Sequence, residues 1–333
     1  MKALLILAFG GPRSLEEVEF LLTCLFKGQK PSPEQLERVK ERYWLIGGSS
    51  PLSEITLKQA KALENNLNSK GYPFKSYVGM RYSHPLIEET MSEILRDGIR
   101  EVIAIPMAPF RSRASTGVYI EEVNRIHKDL GEVLEISFVK GWHLYPLFLD
   151  AVREKVQEGL MEFSSEKRKK VHLIFTAHSL PKLILENDPY ANDMEASVRG
   201  VLEGMEPHPW RIAFQSRGSG PEEWAGPDVE SVLIKLSQEK VKEVLIIPIG
   251  FISDHIEILY DIDIAFRKKA ESLGIVLKRT RSLNTSERFI EALAAIVEEH
   301  IHNLFPSPLM GEGGGEGESP PAKGGEIIKV NYF

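Results

Sequence analysis

The 333-residue chain contains a single cysteine, Cys24. One cysteine cannot form an intramolecular disulfide. It also cannot provide the several thiolates that an iron–sulfur cluster or a multi-cysteine zinc site needs. Small folds held together by disulfides are therefore excluded, as are proteins that carry an iron–sulfur cluster or a multi-cysteine zinc site.

Long apolar runs and a surplus of positive charge are also missing. No stretch approaches 18 consecutive apolar residues, so no segment is predicted to span a bilayer. The apolar residues 1–9 lack a convincing cleavage site and precede an acidic segment, which favours a buried strand over a secretory leader. With 41 Lys and Arg against 48 Asp and Glu, the net charge of −7 disfavours nucleic acid as a partner. We expect a cytoplasmic globular protein.

Several common motifs of enzyme chemistry are absent as well. Gly10-Gly11 is not followed by the later glycines of a dinucleotide-binding fingerprint. The chain has no phosphate-binding loop that ends in Gly-Lys-Ser/Thr, and it has no Gly-x-Ser-x-Gly turn. Nucleotide-dependent chemistry is therefore disfavoured.

What the sequence does contain is a regular alternation of short apolar runs with amphipathic helical patterns, which predicts an α/β fold with parallel strands. Eight runs are predicted strands: 3–8, 76–79, 101–106, 135–139, 172–176, 212–215, 243–248 and 275–279. The runs at 102–106 and 244–248 are similar, and both follow a basic residue and a glutamate. This similarity indicates a duplication, and we predict two similar doubly wound domains, each with a mainly parallel four-stranded sheet, that face a shared cleft.

The boundaries follow from this duplication. We predict an N-terminal domain at 1–145 and a C-terminal domain at 146–304. The first carries an insertion at 13–51 that is either a helix packed on the core or a partly apolar flap over the cleft. The segment 305–333 is rich in glycine and proline and is predicted to be a disordered tail.

Ligands of open parallel sheets bind beyond the carboxyl ends of the strands, so the polar residues at those ends are the site candidates. His178 directly follows an apolar strand, where an imidazole can accept a proton or bind a metal. Glu257 and Asp261 are four residues apart and share a helix face, which suits cation or proton transfer. Asp254 and Glu257 also match the spacing of a helix capping box, so a purely structural role stays open for that pair.

Several motifs together resemble one known family. They are Phe9-Gly10-Gly11-Pro12, Arg42-Tyr43 with Ile46-Gly47-Gly48-Ser49-Ser50-Pro51, Val78-Gly79-Met80-Arg81-Tyr82, Ala177-His178-Ser179-Leu180-Pro181, Gln215-Ser216-Arg217 with Gly220-Pro221 and Trp224, and Phe251-Ile252-Ser253-Asp254-His255-Ile256-Glu257. In this order, and over residues 4 to about 302, they resemble the ferrochelatases, which insert iron into porphyrins in heme synthesis.

The resemblance implies an enzyme with this chelatase-like fold whose substrates are a porphyrin and Fe²⁺. It implies that His178 and Glu257 are catalytic and that His178, Glu257 and Asp261 handle the metal. The implied porphyrin-binding residues are Phe9, Tyr43, Ser50, Arg81, Tyr82 and Trp224. No organic cofactor is expected, and the single cysteine excludes the iron–sulfur cluster of some members. The insertion corresponds to the family's apolar lip, whose stretch at 20–26 could touch a membrane surface, and we expect a monomer.

Two departures from the family pattern matter for function. Many relatives have an acid eight residues after the glutamate that corresponds to Glu257, where this chain has Ala265. Enzymes that act on coproporphyrin commonly have Tyr at the position of Phe9, which favours protoporphyrin IX over coproporphyrin III here. The alternatives are a cobalt or nickel chelatase of another tetrapyrrole and a non-catalytic tetrapyrrole or heme carrier.

Overall fold

The structure, a computed structural model, describes residues 1–218 and 222–304. The predicted tail at 305–333 and the Gly220-Pro221 motif lie outside the described residues. Among the described residues, no helix combines the length and the apolar character needed to cross a bilayer.

Two four-stranded sheets form the centre of the fold, and all their strands are parallel. The strands are β1 Lys2–Ala8, β2 Phe74–Met80, β3 Glu101–Pro106, β4 Glu135–Phe138, β5 His172–His178, β6 Trp210–Gln215, β7 Glu243–Ile247 and β8 Val276–Arg279. The order is β2-β1-β3-β4 in the first sheet and β6-β5-β7-β8 in the second. Each predicted strand matches an observed one, and the predicted fold class is confirmed.

Helices connect the strands and cover the sheets. They are α1 Val18–Leu25, α2 Pro33–Leu45, α3 Leu52–Ser69, α4 Ile87–Arg96, α5 Thr116–Asp129, α6 Pro146–Met161, α7 Ser165–Arg168, α8 Lys182–Leu185, α9 Tyr190–Glu203, α10 Val229–Gln238, α11 Arg267–Ser272 and α12 Glu287–Leu304. A short 3₁₀ helix, Leu15–Glu17, precedes α1, and a π-helix, Glu257–Phe266, precedes α11.

The central strands are buried on both faces, which explains their continuous apolar sequences. In β1, Leu4 and Ile6 pack into one cluster with α3, whereas Leu5 and Leu7 pack into another with α4 and α5. The first of these clusters continues through α6, α9 and α12 to Phe175 in β5. One apolar core therefore joins the two sheets, while the domain boundary at 145 stays a prediction.

The insertion at 13–51, called the lip from here on, forms α1 and α2 with a small apolar core between them. Leu21, Leu22 and Leu25 of α1 are buried there against α2, and Ile256 of the second half belongs to the same cluster. The α2 helix begins with a capping box in which Ser32 and Gln35 exchange hydrogen bonds. The lip thus contacts the second half of the chain beside the segment that carries Glu257.

Candidate active site

A cleft lies at the carboxyl ends of the central strands, between residues from both halves. It encloses about 1200 Å³, counting the part that is open to solvent. Six of the nine predicted site residues line it: Phe9, Tyr43, Ser50, Arg81, His178 and Glu257. Tyr82, Trp224 and Asp261 are not among the lining residues in the described part of the chain.

His178 is the last residue of β5, and the end of the strand orients its ring. Its Nδ1 lies 2.5 Å from the carbonyl oxygen of Ser179, which can only accept a hydrogen bond. Nδ1 therefore carries a proton, and Nε2 is the basic nitrogen of the neutral ring. Nε2 lies 3.6 Å from Oε1 of Glu257. The Tyr190 hydroxyl donates to the His178 carbonyl at 3.0 Å and steadies the end of the strand.

Glu257 begins the π-helix and is buried, with 9% of its surface exposed. Burial alone would raise the pKa of this carboxyl, but the positive charge that His178 and His255 carry when protonated, together with a hydrogen bond from His255, outweighs burial and holds the pKa well below its usual range. The side chain of Gln215 donates to the Glu257 carbonyl at 2.9 Å, which ties the helix start to the end of β6. The carboxylate is therefore charged at neutral pH beside His178.

The capping-box alternative for Asp254 and Glu257 is wrong. No side chain caps the π-helix, and the Asp254 carboxylate instead accepts hydrogen bonds from Ser282 and Asn284 at 2.8 Å each. The backbone N–H of Arg267 bonds to a carbonyl five residues back, as the wider π turn requires. Helical segments with this wider hydrogen-bonding pattern occur frequently at functional sites.

Asp261 lies on the π-helix four residues after Glu257 and is buried. Its carboxylate pairs with the guanidinium of Arg42 from α2 and accepts a hydrogen bond from Ser216 at 2.6 Å. Burial raises the pKa of Asp261, Arg42 opposes this, and the nearby charge of Glu257 adds to it. Asp261 therefore connects the π-helix to the lip, and its role as a metal ligand stays a prediction.

The wall from the first half is mainly apolar and aromatic. The ring of Phe9 lies 4.7 Å from that of Tyr82, and the Arg81 guanidinium lies over the Tyr82 ring at 4.7 Å. Tyr82 thus supports Phe9 and Arg81 without lining the cleft. Gly10 has φ +89°, and a Cβ there would lie 2.3 Å from Oγ of Ser83, so only glycine fits this turn.

The three remaining predicted porphyrin contacts differ in position. Tyr43 of α2 is buried at the edge of the cleft, and burial raises the pKa of its phenol. Ser50 is the second-last residue of the lip, and its backbone N–H donates to the Pro12 carbonyl at 2.7 Å. Trp224 forms a backbone bridge with Pro181, three residues after His178. The roles of all three stay predictions.

The lining residues that the sequence-based prediction missed include Gln59, Phe110, Tyr119 and Tyr190. Phe110 follows β3 by four residues, so the rule that ligands bind beyond strand ends could have found it. The other three lie in helices α3, α5 and α9, where no local motif distinguishes them from packing residues.

Comparison with known proteins decides the family. A profile of the ferrochelatases matches residues 1–301. The chain belongs to the ferrochelatase family. The enzyme class expected from the sequence, a metal-chelating enzyme of heme synthesis, is thereby confirmed.

Individual relatives cover almost all of this ferrochelatase-family chain. It is 37% identical over 298 residues to the ferrochelatase of Herpetosiphon aurantiacus, covering 89% of this chain and 97% of the relative. It is 38% identical over 302 residues to a protein of a Geobacillus species named coproporphyrin III ferrochelatase, covering 90% and 97%.

A solved structure supports the fold. SirB from Bacillus subtilis with Fe³⁺ superposes with a TM-score of 0.58 at 12% identity, covering 91% of this chain and 97% of SirB. At this identity the likeness concerns the fold alone.

Proposed function

We propose that this protein inserts Fe²⁺ into protoporphyrin IX in the cleft between the two sheets. The observation that carries the proposal is the pairing of His178 and Glu257, 3.6 Å apart, in a cleft whose lining from the first half is mainly apolar and aromatic. A flat apolar macrocycle fits such a wall, and the metal and the protons are exchanged on the other side.

Insertion exchanges Fe²⁺ for two pyrrole protons, so a base must lie beside the ring. His178 meets this requirement because the Ser179 carbonyl fixes Nδ1 as the protonated nitrogen and directs Nε2 towards Glu257. Once Nε2 accepts a proton, the Glu257 carboxylate stabilises the imidazolium. The protons leave through this pair, one after the other.

The same pair suits the incoming metal. An imidazole nitrogen and a carboxylate oxygen are ligands that Fe²⁺ accepts in place of water. Asp261, one turn further along the π-helix, adds a second carboxylate to a row of acids along which Fe²⁺ approaches. This row is shorter than in many relatives, because position 265 is Ala here. Fe²⁺ is a substrate in this scheme, and the expected lack of an organic cofactor or iron–sulfur cluster stays a prediction.

The charges around the cleft favour protoporphyrin IX. Arg81 is the one Lys or Arg among the described residues that line it. Protoporphyrin IX has two carboxylates and coproporphyrin III has four, so a single cation suits the less charged substrate. Phe9 also brings no hydroxyl to the ring face. Coproporphyrin III is the second candidate, because a relative named for that substrate is 38% identical.

The test is anaerobic metal insertion followed by absorbance, with protoporphyrin IX, coproporphyrin III and sirohydrochlorin compared at equal Fe²⁺. We expect kcat/KM to be highest for protoporphyrin IX. A higher value for coproporphyrin III would overturn the substrate assignment. In a second series with Co²⁺ and Ni²⁺ in place of Fe²⁺, a preference for sirohydrochlorin would show the alternative chelatase. No rate above the uncatalysed reaction with any substrate would refute the enzymatic proposal.

The lip also supports peripheral contact with a membrane surface. Trp44 and Leu45, at the end of α2, are 66% and 43% exposed, whereas Leu21 and Leu25 of α1 are buried. Exposed Trp and Leu side chains on a helical surface favour insertion at the lipid interface. Flotation with anionic liposomes should show binding that Trp44→Ser with Leu45→Ser abolishes and that Leu183→Ser, an exposed site outside the lip, leaves intact. Equal flotation of both variants would contradict the contact. The cytoplasmic location and the monomeric state stay predictions.

A further inference from the structure

Gln59 lies in the middle of α3 in the first half, yet its amide bonds to the second half. Only 1% of its surface is exposed. Its Nε2 donates to Oγ of Ser253 at 2.9 Å and to the carbonyl oxygen of Asn284 at 2.7 Å. Because a carbonyl can only accept, the NH₂ group must face Asn284, and the orientation of the amide is fixed.

The two acceptors lie in separate segments that several hydrogen bonds join to each other. The Asn284 side chain accepts from the backbone N–H of Asp254 at 2.9 Å and donates to the Asp254 carboxylate at 2.8 Å. The backbone N–H of Asn284 donates to the Ile252 carbonyl at 2.8 Å. The residues on either side of Ser253 are therefore hydrogen-bonded to Asn284. The Gln59 amide, from the first half, bonds to both Ser253 and Asn284 and so fixes them relative to α3.

The segment that contains Ser253 continues directly into His255 and Glu257. The carbonyl of Ser253 accepts a hydrogen bond from Nδ1 of His255 at 2.9 Å. The other ring nitrogen of His255 lies 3.9 Å from the Glu257 carboxylate, which faces His178. A displacement of Ser253 therefore moves the imidazole of His255 and the start of the π-helix together.

Gln59 is not needed to hold the two halves together. The continuous apolar core joins the sheets. The side chain of Arg111 also makes a two-bond ion pair with Asp193 across the halves, at 2.7 and 2.9 Å. The Gln59 amide adds two directional hydrogen bonds, to Ser253 and Asn284, beside the cleft.

We infer that Gln59 is a positioning residue, which sets the distance between the Ser253–Glu257 segment and the ring-binding wall of the first half. The inference deepens the proposed function and rests on it. Gln59 acts through Ser253 and Asn284 on Glu257 and His178. Its loss should therefore affect the chemical step more than the binding of porphyrin.

The test compares Gln59→Leu with Asn68→Leu in metal-insertion kinetics. Asn68 is a matched control, since it is an amide on the same helix whose bonds, at 3.0 and 2.7 Å, both go to the backbone of Phe74 in the first half. For Gln59→Leu we expect kcat to fall about ten- to hundredfold while KM for porphyrin stays within about twofold, because small misplacements of reacting groups have effects of this size. Asn68→Leu should lower the melting temperature while kcat is unchanged.

A second readout does not depend on turnover. Hydrogen–deuterium exchange should become faster in peptides that cover 251–258 for Gln59→Leu and should stay unchanged there for Asn68→Leu. An unchanged kcat in Gln59→Leu would overturn the inference, as would a raised KM at constant kcat, which would instead show direct porphyrin binding by Gln59. If the parent protein inserts no metal, the proposed function fails, while exchange still decides whether Gln59 holds the Ser253–Glu257 segment.

Discussion

The two halves of the molecule share a strand order but end their central strands differently. In the first half, β1 continues into Phe9 and Gly10, which shape a surface against which a flat ligand can lie. In the second half, β5 ends at His178, beside a carboxylate. The topology thus provides two equivalent positions, and the residues placed there determine the chemistry.

The two halves also differ in the ionisable residues that they contribute to the cleft. Among the described residues that line the cleft, the first half contributes the cation Arg81, whereas His178, His255 and Glu257 all come from the second half. We therefore assign ring binding mainly to the first half and proton and metal exchange to the second. The following predictions test this division, beginning with the largest effect.

His178→Ala should lower kcat by about a thousandfold or more, because the base beside the ring is lost. Porphyrin binding, measured by fluorescence quenching, should change little, since the first half provides most of the wall. His208→Ala serves as the control, because His208 is a partly buried histidine of the second half that is not among the described residues lining the cleft. If His178→Ala keeps more than a tenth of the parent kcat, His178 is not the proton acceptor.

Glu257→Gln should lower kcat about a hundredfold, since the amide preserves the shape but neither stabilises an imidazolium nor binds Fe²⁺ as a charged ligand. Stopped-flow absorbance with Zn²⁺ and porphyrin measures the step directly. Glu158→Gln on the surface of α6 should behave as the parent. Tight heme binding without metal insertion by either the parent or Glu257→Gln would instead support the carrier alternative.

Arg81→Met should raise KM for porphyrin about tenfold with kcat nearly unchanged, because a charged hydrogen bond to a substrate carboxylate is lost. Steady-state kinetics should show this for protoporphyrin IX. The dimethyl ester, which has no carboxylates, should be insensitive to the substitution. A fall in kcat at constant KM would break the proposed division of roles.

His172, at the start of β5, should affect stability rather than turnover. Burial, assisted by the charge of Arg211, lowers the pKa of His172 to about 4. The folded state therefore binds this proton more weakly than the unfolded state, and stability falls as the pH drops from about 6.5 to 4. Below pH 4, protonation of His172 lowers the free energy of unfolding by about 2 kcal/mol, once solvent screening is allowed for.

His172→Leu should remove this part of the acid sensitivity, as measured by urea unfolding at pH 7 and pH 4.5, while kcat at pH 7 is unchanged. The two histidines of β5 would then have separate roles, one at each end of the strand. An unaltered pH dependence in the variant would show that other groups control acid unfolding.

Much of the fold was predictable because its signals are local. Buried parallel strands require continuous apolar runs, so β1, β3, β5 and β7 stand out in the sequence. His178 and Glu257 could be found as polar residues at strand ends and from the resemblance to the family. The π-helix was not predicted, because its i→i+5 bonds have no sequence signature in a segment whose spacing also fits a capping box.

Contacts between distant segments were equally invisible. Gln59 and Asn284 are 225 residues apart, and nothing near Gln59 marks it as different from its helical neighbours. The pairing of Arg42 with Asp261 likewise depends on how the lip lies over the second half. Such contacts follow from the packing of the two halves and could not be read from one segment alone.

The Arg42–Asp261 pair also has a consequence for biosynthesis. Its members are 219 residues apart, so the ribosome completes the lip long before it makes the aspartate that the lip arginine binds. While the first half is being made, α1 and α2 can pack against each other, but Arg42 still lacks its carboxylate partner and the cluster around Leu21 lacks Ile256. These contacts form only after the second half has been made, because a chain begins to fold from its N-terminal end during synthesis.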